Sequence, residues 1–63
     1  MRFYECHLLD SAGAIRFCES IESDSENSAL ALCRTILAAR LHHASFELWG
    51  LRRLIWSEGR LAA

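Results

Sequence analysis

Six residues of this chain have side chains that bind metals or act as nucleophile and base: Cys6, His7, Cys18, Cys33, His42 and His43. Zinc sites take such ligands at paired spacings, C-x-x-C or a similarly short His repeat, and no such pair occurs here. Cys6 and His7 are adjacent, and neighbours in a strand point to opposite faces, so they cannot work as a thiol and its base. His42 and His43 read as cations at a helix end or as solvated residues. The glycines, Gly13, Gly50 and Gly59, are too scattered to cradle a phosphate. The expectation is therefore no catalytic residue, no metal, no cofactor and no enzymatic activity.

A second group lies in Phe46-Glu-Leu-Trp-Gly-Leu-Arg-Arg-Leu-Ile-Trp56, which holds both tryptophans and the Arg52-Arg53 pair. Tryptophan and arginine are the types that stack on bases and hold phosphates. The chain as a whole carries a net charge of −1, whereas nucleic-acid modules show a basic face and a high pI. The charge is unevenly spread. Residues 1–33 set two arginines against six carboxylates, and residues 34–63 set five arginines against two. All seven basic residues are arginine. A GC-rich genome accounts for that bias, while an acidic and a basic half also allow attraction between subunits.

The positioning elements follow from periodicity. Residues 2–9 alternate, with Tyr4, Cys6 and Leu8 on one face, and Asp10-Ser-Ala-Gly13 is turn chemistry. Ile15, Phe17, Glu19 and Ile21 alternate next and complete a hairpin. Ser23-x-x-Glu26 is a capping box, in which the serine oxygen accepts the third amide and the glutamate reaches back. It predicts a helix over 24–42 that buries Ala29, Leu30, Cys33, Ile36, Leu37 and Leu41 at spacings of three and four. Arg40, His42 and His43 then fall near its negative end. Residues 45–49 and 53–57 form a second hairpin around Gly50-Leu-Arg52. The fold expected is α+β: ββαββ, a mainly antiparallel four-stranded sheet of order 2-1-3-4 with one helix on one face. In that hairpin register Cys6 and Cys18 point to opposite faces, and Cys33 can approach Cys6 alone.

A chain of 63 residues is one domain, and at that size only about 60% of the unfolded surface is buried. Folds this small lean on a disulfide, a metal or a partner. The 52% hydrophobic content excludes a disordered tail. No window reaches the roughly 18 apolar residues of a membrane helix, and the charged start is unlike a signal peptide. A cytoplasmic protein with three reduced thiols is expected.

The tyrosine strand ending in L-x-D (Tyr4 to Asp10), the acidic lead into Ala-Leu (Ser23 to Leu30) and the final Glu47-Leu48-Trp49 before a Gly-x-Arg turn carry a resemblance. The chain resembles short uncharacterised alphaproteobacterial proteins of the domain-of-unknown-function type, and it departs from their pattern at Arg52-Arg53. The resemblance implies a bacterial cytoplasmic setting and the same architecture, and assigns no functional residue.

Counting faces decides the expected role. The helix covers the face of Tyr4, Cys6, Leu8, Ile15, Phe17, Phe46 and Leu48. The other face is left with Phe3, His7, Leu9, Cys18 and Trp49, joined by Leu54 and Trp56. That is too much apolar area for solvent, and Trp beside Arg is typical of interface anchors. A tail of residues 59–63 is too short to cover it. The expected interface is Phe3, His7, Leu9, Trp49, Arg52, Arg53, Leu54 and Trp56. The expected partner is a second copy or another protein, and a small nucleic-acid-binding regulator is the alternative.

Overall fold

The computed structural model describes residues 2–59. The elements are β1 (Arg2–Leu9), β2 (Ile15–Ser23), α1 (Glu26–Ala39), β3 (Ser45–Trp49) and β4 (Leu54–Gly59). They form one antiparallel sheet of order β2-β1-β3-β4 with the helix packed on one face. This is the expected ββαββ architecture. Among the described residues no helix is long and apolar enough to cross a membrane.

Asp10 organises the first turn. Its Oδ1 accepts from the Ala12 and Ala14 amides at 2.9 and 3.0 Å, and its Oδ2 accepts from Arg16 Nε at 2.8 Å. These donors hold its carboxyl below the usual range, the guanidinium most of all. Gly13 takes φ 84°, which a side chain would resist.

The core lies between the helix and the sheet. Tyr4, Cys6, Leu8, Ile21, Phe46 and Leu48 rise from the strands to meet Ala29, Cys33 and Leu37 of the helix, with Phe17, Leu30, Ile36 and Ile55 around them. Cys6 and Cys33 face each other there, fully buried, and Cys18 is exposed on the opposite side of the sheet. Contact with Cys6 and burial both push the Cys33 thiol up, so it stays protonated.

Three expectations about the helix need correction. The helix spans Glu26–Ala39, not 24–42, and its N-cap is Ser25, whose Oγ accepts the Ser28 amide at 3.1 Å. Ser23 does not cap the helix, because β2 runs on to it and pairs it with Arg2. Its buried hydroxyl instead donates to the Ser25 carbonyl at 3.1 Å. At the other end Arg40 is the C-cap and its guanidinium lies 3.6 Å from the centre of the Phe17 ring. Leu41, placed on the buried stripe by spacing, comes after the helix and is 82% exposed.

The remaining corrections come from two bulges. Between Leu8 and Leu9 the register slips, so Ile15 pairs with Leu9 and is exposed instead of joining the helix-covered core. A second slip lies between Leu48 and Trp49, where Leu48 pairs with Trp56 and Trp49 with Leu54. Directly paired side chains share a face, so Trp56 lies on the helix side with Leu48 and not on the open face. β4 accordingly starts at Leu54, and Gly50 closes the turn by donating its amide to Arg53 O at 3.0 Å.

Candidate functional site

Among the described residues, no element covers the face of the sheet away from the helix. β1 contributes Phe3, Glu5, His7 and Leu9, β3 contributes Ser45, Glu47 and Trp49, and Leu54 follows Trp49 across the β3–β4 pairing. Cys18 and Glu22 of β2 lie on the same side, paired with His7 and Phe3. Phe3 is 71% exposed and Leu54 46%. These are large apolar surfaces left in water by a sheet that has a helix on only one side.

Its centre is a block of four residues. Glu5 stands opposite Trp49 and His7 opposite Glu47. The His7 and Trp49 rings stack along the diagonal, with centroids 5.8 Å apart and planes at 28°. Within each strand the ring nitrogen then meets a carboxylate two residues away. His7 Nε2 is 3.2 Å from Glu5 Oε1, and Trp49 Nε1 donates to Glu47 Oε1 at 3.0 Å. His7 Nδ1 is buried without a partner. The two rings are thus held against each other, each with one nitrogen on a carboxylate of its own strand.

Of the residues expected at an interface, Phe3, His7, Leu9, Trp49 and Leu54 are brought together on this face. Arg52 and Arg53 lie beyond its end, in the turn that follows Trp49. Arg52 takes φ 59°, and neither arginine has a hydrogen-bond or ion-pair partner among the described residues. Trp56 belongs elsewhere. Its Nε1 donates to Glu58 Oε1 at 3.0 Å, and Glu58 receives both Nε and a terminal nitrogen of Arg34 at 2.9 Å. Arg34 first, and Trp56 after it, lower the Glu58 carboxyl to about 2. This is a strap between helix and edge strand on the helix side of the sheet, and Trp56 itself stays 47% exposed.

Reasoning from sequence overlooked Glu5 and Glu47. Strand parity is the signal that places both on this face with His7 and Trp49, and apolar alternation alone does not carry it. Among the described residues, no three His, Cys, Asp or Glu side chains group as a metal site. The tail of residues 60–63, considered as a cover for this face, lies outside the described residues. No family profile, curated protein or solved structure matches the chain.

Proposed function

We propose that this protein is a binding module that pairs with a second copy of itself through the open sheet face, in a cytoplasmic setting, and that it is not an enzyme. The observation that carries this reading is the one-sided sheet: a helix on one face, and on the other the Phe3, Leu9, Trp49 and Leu54 surface around the His7–Trp49 stack. A two-layer domain of this size gains most by adding a layer. An identical face is always present at the protein's own concentration, and two such faces related by a two-fold axis would close the assembly. The three free cysteines suit a reducing compartment.

The nucleic-acid reading is disfavoured by two observations. Trp49 and Trp56 lie on opposite sides of the sheet, so the hairpin offers no double stacking platform, and Glu5, Glu22 and Glu47 make the open face acidic. Light scattering over a concentration series tests the proposal. The mass should rise from 7.2 kDa to twice that value and hold as salt is raised, since apolar contacts resist screening. A mass that stays monomeric, together with retention on single-stranded DNA that falls steeply with salt, would favour the alternative.

A further inference from the structure

β1 is longer than the strand beside it. It pairs with β2 along Arg2–Leu9 but with β3 only from Glu5 to Leu9. In an antiparallel sheet, alternate residues turn their main-chain N–H and C=O to alternate sides. The Leu9 carbonyl accepts from the Ala44 amide, on the β3 side. His7, Glu5 and Phe3 therefore turn the same way, and the main chain of Phe3 faces a place where none of the described residues forms a strand. The Gly50–Arg53 turn has already bent away there.

That vacancy is a groove of ≈ 870 Å³. Phe3, Tyr4, Trp49 and Ile55 give it apolar surface, and Arg2, Arg52 and Arg53 line it as well. Tyr4 is 5% exposed and its hydroxyl is buried without a hydrogen-bond partner. The Arg2 guanidinium lies beside that hydroxyl, which raises the guanidinium's affinity for its proton. Two carboxylates also border the groove. Glu5 is engaged by His7, and Glu26 lies near Arg2. Arg52 and Arg53 have no carboxylate partner among the described residues. An open main-chain edge under free guanidinium groups matches an extended chain that carries carboxylates.

We propose that this groove takes an extended acidic peptide segment, added as a short strand beside Phe3, with its carboxylates on Arg52 and Arg53. The inference rests on the reading of the protein as a binding module, and because the groove shares Phe3, Glu5, His7 and Trp49 with the open face, bound peptide and the second copy compete there.

The test is fluorescence anisotropy with a labelled peptide of four Glu-Val repeats, with light scattering on the same samples. The wild-type protein should bind it, and Arg52→Ala with Arg53→Ala should weaken binding at least tenfold with the mass before peptide addition unchanged. Lysine at both positions should recover only part of the affinity, because it lacks the two-pronged contact. Bound peptide should slow hydrogen exchange at the Phe3 amide. The Lys-Val peptide should not bind. Three results overturn the proposal: no binding by wild type, binding untouched by the double alanine variant, or a thymidine oligonucleotide of equal length bound as tightly. Lost self-association with peptide binding intact would overturn the pairing proposal alone.

Discussion

Trp49 lies against His7 across the β1–β3 junction, and each ring holds a carboxylate of its own strand, Glu47 for the tryptophan and Glu5 for the histidine. The stack fixes the orientation of the largest side chain on the open face. It also supplies stability of its own, since paired rings contribute about 0.5–1.5 kcal/mol beyond their burial.

His7→Ala should therefore lower unfolding stability by about 1 kcal/mol and shift the fluorescence of Trp49. Urea denaturation at one fixed protein concentration is the appropriate measurement, because association adds concentration dependence. An unchanged midpoint and spectrum would mean that the rings do not stack in solution.

The helix start gives a second expectation. Ser25→Ala removes the acceptor for the Ser28 amide and should cost about 1 kcal/mol. Hydrogen exchange at that amide should rise in Ser25→Ala and not in Ser23→Ala, whose hydroxyl serves the Ser25 carbonyl instead. Equal exchange in both variants would return the cap to Ser23.

The strand order was legible in the sequence because alternation in β1 and three-four spacing in the helix each mark one buried face. Parity likewise placed Trp49 opposite Phe46 and Leu48. The bulges were not legible. Each skips one residue against its partner strand, at the Asp10–Gly13 turn and beside the Gly50–Arg53 turn, and nothing in apolar alternation signals a skipped residue. One such step was enough to carry Trp56 to the helix side and Ile15 out of the core. At the helix start two serines competed, and strand pairing with Arg2 took Ser23, leaving Ser25 as the cap.

Acid should loosen the helix from the edge strand. Glu58 falls from 4.5 to about 2 beside Arg34. A carboxylate with a depressed folded value stabilises the protein above its unfolded value, and that contribution is lost as pH falls through the folded one. Arg34→Gln should therefore be less stable than wild type at pH 7. The gap should shrink as pH falls below 4.5 and close near pH 2. A gap that is constant across this range would assign the loss to packing of the arginine stem.

Gly50 has a packing reason to be glycine. A Cβ there would meet Ile55 Cδ1 at 2.7 Å, the movable end of a side chain. Gly50→Ala should cost about 1–2 kcal/mol by overpacking, and adding Ile55→Val, which removes that methyl group, should recover much of the loss. Thermal denaturation of the two single variants and the double variant closes the cycle. Strict additivity would show that the cost arises in the backbone instead.

Self-association through the open face is tested most directly by the solution mass of Trp49→Glu beside that of wild type, with helicity followed by circular dichroism. A charge in place of the stacked indole should leave the variant at 7.2 kDa with its helix signal retained, while wild type reaches twice that mass. A wild-type chain that stays monomeric at high concentration, or a variant that assembles as wild type does, would contradict the pairing of these faces.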